Sequence, residues 1–238
     1  MNARITWCLG MYGSASTWLY NVVREIYEVA DQRNVRLQFV SDRLDETWLG
    51  QPNTISLIKS HEITNDCALV TIAGRADQIF VSLRDPRDSV ASLMVYHHYK
   101  FDKALKLVEA AANLCLGYTK DRRAVCVWYE TGFFNNVDTV RLIADKLGYA
   151  LRDAEANKIF DNLSRAAVER YIQQLPNRRG VLRDHISGDL LDPKTQWHTH
   201  HAGRSGVTGS WRNALSATEA AEVTSHFELS MSNHPVSA

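Results

Sequence analysis

Residues Gly10-Met-Tyr-Gly-Ser-Ala-Ser-Thr17 follow the apolar run 4–9 and precede Trp18, Leu19, Val22, Val23, Ile26 and Val29 at helical spacing. A strand, a Gly/Ser turn and a helix start together make a place for an anion. Backbone N–H groups at the helix start point outward, and the helix dipole adds to the attraction. Ser14, Ser16 and Thr17 bring three hydroxyls to the same turn. The Walker pattern is not met, because Ala15 and Ser16 stand where it needs Gly and Lys. The turn is thus an anion cradle without its lysine, or a plain connection from strand to helix. Arg84 closes the nearly continuous apolar run 78–83. There it can fork onto a phosphate beyond the strand's carboxyl end, with Ser92 adding a hydroxyl, or form an ion pair with Asp85 or Asp88. His61 closes the run 55–60, which also holds Lys59. An imidazole is mostly neutral at pH 7 and can take a proton, or it can serve an ordinary hydrogen bond. Residues 204–213 join glycine turns to an arginine and a tryptophan. His198, His200 and His201 cluster without a carboxylate or cysteine pattern beside them, so no metal is expected.

Taken in order, these segments resemble the cytosolic-type sulfotransferases that use 3′-phosphoadenosine 5′-phosphosulfate (PAPS). Tyr12-Gly-Ser-Ala-Ser-Thr-Trp18 is similar to that family's P-K-S-G-T-T-W. Arg84 to Ser92 matches its arginine at a strand end followed eight residues later by serine. Arg204-Ser-Gly-Val-Thr-Gly-Ser-Trp-Arg-Asn213 resembles R-K-G-x-x-G-D-W-K-N. Lys59-Ser-His61 looks like its K-T-H, and Tyr129-Glu130 like its Tyr-Glu strand end.

The resemblance implies an α/β, P-loop-like three-layer sandwich, with a central mostly parallel sheet flanked by helices, as a single domain over residues 1–238. It implies transfer of a sulfuryl group from PAPS to a hydroxyl or amine of a small-molecule acceptor, without a metal. Gly13, Ser14, Ala15, Ser16 and Thr17 would wrap the 5′-phosphosulfate. Trp18 and Tyr129 would lie near the adenine. Arg84, Ser92 and the turn Arg204, Ser205, Gly206 would hold the 3′-phosphate. His61 would be the general base, with Lys59 beside it. The family lysine of the first motif falls on Gly13, so Lys59 or an arginine from 175–204 is expected to supply the charge. Alternatives are a non-catalytic binder of PAPS or adenosine bisphosphate, which Gly13 favours, and a P-loop small-molecule kinase. The family's C-terminal dimer motif is not matched at Arg212, Ser216, Ala217 and Ala221, and the oligomeric state is left open.

The elements that must position these residues are legible from periodicity. Strands are expected at 4–9, 35–40, 55–60, 78–83 and 124–129. Helices are expected from 18 to about 31, 86–98, 102–118, 136–148 and 154–173, with a last one starting at the capping box Ser216-x-x-Glu219. Asp85-Pro86 supplies an N-cap followed by proline at the first helical position. Residues 41–54 read as a polar connection, and 175–210 as a long functional surface segment.

Composition narrows the function classes. The 238 residues are 45% apolar and 23% charged, which permits a full core. Lys+Arg and Asp+Glu are both 27, so nucleic acid and membrane surfaces are not expected partners. The four cysteines form no C-x-x-C pair and read as buried free thiols of a reducing compartment. The opening residues lack a signal-peptide apolar stretch, and no run reaches the ~18 residues of a membrane span, so a cytoplasmic location is expected.

Overall fold

Five strands form one parallel sheet: β1 (Arg4–Gly10), β2 (Asn34–Phe39), β3 (Thr54–Ser60), β4 (Gln78–Leu83) and β5 (Ala124–Trp128), in the order β2-β3-β1-β4-β5. The computed structural model describes residues 3–47, 49–183, 188–199, 201 and 207–231. The helices are α1 (Ser16–Ala30), α2 (Asp66–Arg75), α3 (Pro86–Tyr96), α4 (Phe101–Gly117), α5 (Val137–Lys146), α6 (Asp153–Asn162), α7 (Arg165–Gln173) and α8 (Ala217–Met231). Two short strands, β6 (Leu182–Arg183) and β7 (Leu190–Leu191), pair antiparallel. The chain divides into two units. One comprises Met1–Ser16, Gln32–Phe133 and Val207–Ala238, and the other Thr17–Asp31 and Phe134–Gly206.

The first unit holds the whole sheet. Side chains alternate across each strand, and one face carries Ile5, Trp7, Leu9, Ile58, Ile79, Val81 and Leu83 into a core with α2, α3, α4 and α8. Residues of the opposite face of β1, β3 and β4, such as Cys8, Leu57, Lys59 and Phe80, are also buried. For β4 this explains the nearly continuous apolar run of its sequence. From β1 the chain crosses to β2 and β3 on one side, and then to β4 and β5 on the other. The carboxyl end of β1 is therefore the topological switch point, where open parallel sheets bind ligands.

α3 starts as its sequence demands: Asp85 accepts from Arg87 N, and Pro86 opens the helix. One turn in, Asp88 is fully buried and binds the segment before α8. Its carboxylate accepts from Gly209 N (2.7 Å), Ser210 Oγ (3.0 Å) and Trp211 N (2.9 Å), and Arg84 Nη2 lies 3.8 Å away. The capping box also forms, with Ser216 N donating to Glu219 and Glu219 N donating to Ser216 Oγ.

Three features differ from the sequence expectations. α2 has no forecast, because only Ala68 and Ile72 of its ten residues are buried, too few for a clear period. The helix expected over 154–173 is two helices. Ser164 caps α7 by accepting from Ala167 N, and Trp18 Nε1 donates to Leu163 O at 3.1 Å, satisfying a carbonyl at the end of α6. Cys67 is exposed on α2, whereas Cys8 and Cys115 are buried and Cys126 is half-buried. Among the described residues, no helix is long and apolar enough to cross a membrane.

Replacing Asp88 with alanine leaves two backbone amides, a hydroxyl and part of a guanidinium without their buried acceptor. The expected loss is about 3–5 kcal/mol in urea unfolding, with a smaller loss for Asp88→Asn, which keeps one accepting oxygen. An Asp88→Ala loss below about 1 kcal/mol refutes this role.

Candidate functional site

Several matched residues of the first unit stand at the carboxyl ends of four strands. The loop Met11–Ser16 follows β1, His61 follows β3, Arg84 follows β4 and Tyr129 follows β5. The registers Leu9↔Ser60, Gly10↔Ser82 and Leu83↔Trp128 hold these ends level.

The loop turns tightly on itself. A Cβ at Gly10 would lie 2.3 Å from Ser16 Cβ and 2.4 Å from Ser82 Oγ, so only glycine fits. Gly13 has φ +69° and Ala15 φ +59°, so the chain curls twice through the left-handed region before α1 begins. Ser14 is fully buried, with its hydroxyl donating to Met11 O at 2.6 Å and lying 2.8 Å from Ser82 Oγ. Its hydroxyl therefore braces the loop from inside.

Arg84 reaches the same loop. Its Nη1 donates to Gly13 O at 2.8 Å, and its guanidinium lies over the Tyr129 ring at 4.1 Å. A Cβ at Gly13 would meet Arg84 Nη1 at 2.9 Å and Ser92 Oγ at 3.0 Å. Gly13, Arg84, Ser92 and Tyr129 are thus one cluster, and Arg84 fills the space beside Gly13. The ion pair with Asp88, open as an alternative from sequence, is also present. Arg84 is 6% exposed, and its buried Nε has no hydrogen-bond partner among the described residues. A buried guanidinium donor left over in this way fits an anionic oxygen as its missing acceptor. Glu130, next to Tyr129, accepts from Asp85 N at 2.8 Å, and burial raises its carboxyl pKa.

His61 is held on several sides. Its Nδ1 lies 2.6 Å from Gly10 O. A carbonyl oxygen only accepts, so Nδ1 carries a proton, and in the neutral ring Nε2 then carries the lone pair. Lys59 Nζ donates to that Nε2 at 3.2 Å. Tyr12 stacks on the imidazole with centroids 4.5 Å apart, and its hydroxyl donates to Glu62 at 2.5 Å. Lys59 is 2% exposed, and burial lowers its ammonium pKa to about 8. Burial also pushes the Cys8 thiol and the Glu62 carboxyl up. In this cluster the Nε2 of His61 shares a hydrogen bond with an amine that burial makes easier to deprotonate.

Thr17 and Trp18 open the second unit. Thr17 Oγ1 lies 3.3 Å from His201 Nε2, and Trp18 is buried with its indole N–H bound to Leu163 O. Arg204, Ser205 and Gly206 lie outside the described residues. Among the described residues, no group of three potential metal ligands occurs. Sequence reasoning offered Asp88 only as an ion-pair partner of Arg84 and missed its bonds to residues 209–211, the packing of Tyr12 and Glu62 around His61, and the Thr17–His201 contact. Asp88 had a signal, since it sits within the matched Arg84–Ser92 motif. Tyr12, Glu62 and His201 had none, because their partners are distant in sequence.

No protein-family model matches the sequence, and no curated protein matches it. Solved structures do match. Mouse sulfotransferase SULT7A1, complexed with PAP, aligns at TM-score 0.66 and 16% identity over 98% of this chain and 86% of its own. Retinol dehydratase, in complex with androsterone and the inactive cofactor PAP, aligns at TM-score 0.63 and 13% identity over 98% and 82%. Its complex with retinol and PAP gives 0.61 and 12% over 98% and 83%. At such identities the shared property is the path of the backbone. With five parallel strands in this order, flanked by helices, and near-complete coverage of its length, this chain has the sulfotransferase fold.

Proposed function

We propose that this protein transfers a sulfuryl group from PAPS to a hydroxyl or amine of a small-molecule acceptor. The observation that carries the reading is His61: its Nδ1–H is anchored on Gly10 O, leaving Nε2 as a base at a strand end beside the loop. The neighbouring folds complexed with PAP, adenosine 3′,5′-bisphosphate, support the same cofactor class. PAPS, when bound, supplies the sulfuryl group and leaves as the bisphosphate.

The chain's own groups divide the work. Ser16, Thr17 and the backbone of Gly13 to Ala15 hold the 5′ anion, with Ser14 keeping the loop in shape. Arg84, Ser92 and Arg204 to Gly206 bind the 3′-phosphate, and Trp18 and Tyr129 flank the base. His61 Nε2 takes the proton from the acceptor once Lys59 releases it. Lys59 then provides positive charge at the strand end, where charge on a leaving oxygen needs support. Arg84, lying against Gly13, supplies cationic character at the position where the resembled family has lysine. A side chain at Gly13 would displace it.

The reading is tested by labelled PAPS with a panel of phenols, alcohols and amines. Transfer to at least one acceptor is expected. Tight bisphosphate binding with no transfer to any acceptor makes the chain a binder only. His61→Ala is expected to lower turnover by roughly 10²–10⁴ with bisphosphate affinity nearly unchanged. Full turnover in that variant removes His61 from the chemistry.

The bisphosphate is also expected to bind more tightly than AMP by calorimetry, and Gly13→Ala to weaken it by about tenfold, through a strained positive φ and a displaced Arg84. Equal affinities for the two nucleotides contradict the 3′-phosphate assignment.

Lys59 adds a pH dependence. Its folded pKa is depressed to about 8, so the ammonium is present below that pH and lost as pH rises through it. Turnover should fall above pH 8, and Lys59→Arg should remove that alkaline limb. A flat profile from pH 7 to about 9.5 excludes a role for the Lys59 charge.

A further inference from the structure

His201 was left without a role by the sequence, and the second unit places it against the first turn of α1. Residues 192–199 dock along that helix. Tyr20 donates its hydroxyl to Lys194 O (3.1 Å), Asn21 Nδ2 donates to Thr195 O (2.7 Å), and Lys194 Nζ pairs with Glu28 (3.0 Å). Asn21 Nδ2 also donates to Thr17 O (2.8 Å), tying the loop to the helix start. Trp197 is 7% exposed and packs edge-on against the His201 ring. Within this frame His201 Nε2 meets Thr17 Oγ1 at 3.3 Å, and Thr17 is 3% exposed.

The hydrogen-bond roles follow from donor and acceptor identity. His198 N donates to His201 Nδ1 at 3.0 Å. A backbone amide only donates, so Nδ1 holds a lone pair and the neutral ring carries its proton on Nε2. Nε2–H therefore donates to Thr17 Oγ1. A hydroxyl that accepts in this way keeps its own proton for a different acceptor.

We infer that His201 is a positioning residue for the anion-binding turn. By donating to Thr17 Oγ1 it directs the Thr17 O–H toward an oxygen of the bound 5′ anion. This rests on the reading of Gly13–Thr17 as that site. It brings residues 192–199 and His201 into cofactor binding through a neutral hydrogen-bond relay, with no added charge.

Calorimetry with adenosine 3′,5′-bisphosphate tests it on four proteins. His201→Leu removes the donor, His201→Gln retains an amide N–H of comparable reach, Thr17→Val removes the hydroxyl, and the last combines Thr17→Val with His201→Leu. His201→Leu is expected to bind about tenfold more weakly than the native chain, and His201→Gln within about twofold of it. In the Thr17→Val background His201→Leu should cost nothing further, because the relay is already cut. Thermal unfolding of each variant identifies losses that come from misfolding. Native affinity in a folded His201→Leu protein overturns the inference, as does a loss that is unchanged when Thr17 is valine. Failure of the native chain to bind the bisphosphate has a separate meaning: it overturns the sulfotransferase reading on which this one stands.

Discussion

The buried carboxylate of Asp88 is the interaction on which the arrangement of the first unit depends. It collects two backbone amides and a hydroxyl from residues 209–211 and lies beside the Arg84 guanidinium. An isolated charge at zero exposure is costly, and one surrounded by converging donors is tolerated. The same carboxylate sets how Arg84 leaves the end of β4, and Arg84 in turn rests on Gly13 O and the Tyr129 ring. A segment more than a hundred residues along the chain is thereby held to the first turn of α3 and, through Arg84, linked to the loop after β1.

A second constraint is the burial of Lys59. A central strand with both faces covered leaves its ammonium little water, and desolvation lowers its affinity for a proton. Its closest described partner is the lone-pair nitrogen of His61, two residues on. The main chain at Gly10 fixes the tautomer of that ring, and Tyr12 covers its face. The β1 loop therefore serves twice, as a curled backbone at the switch point and as the support of the imidazole. This double use explains the tightness at Gly10, where even a methyl group would strike Ser16.

Much of this was legible in the residues themselves. The nearly continuous apolar run 78–83 marked β4, because a strand covered on both faces favours apolar side chains throughout, and the shorter runs 4–9 and 55–60 marked β1 and β3. Asp85-Pro86 and Ser216-x-x-Glu219 marked helix starts through local capping chemistry. Arg84 and His61 were placed at strand ends by simple position. α2 was not legible, because two buried residues make no period. Nor was the break between α6 and α7, which Ser164 and the distant Trp18 indole produce together.

The sequence by itself determined the element types, the parallel α/β class and the residue types available for anion and proton chemistry, since these rest on local periodicity, capping and side-chain identity. Only the tertiary structure decided how those residues are used. It turned Ser14 inward, set Arg84 in the space beside Gly13 and lowered the Lys59 pKa by burial. It also selected the tautomers of His61 and His201 through Gly10 O and His198 N. Each of these outcomes depends on a partner supplied by chain geometry or on exclusion of water, and neither is encoded within a short stretch of residues.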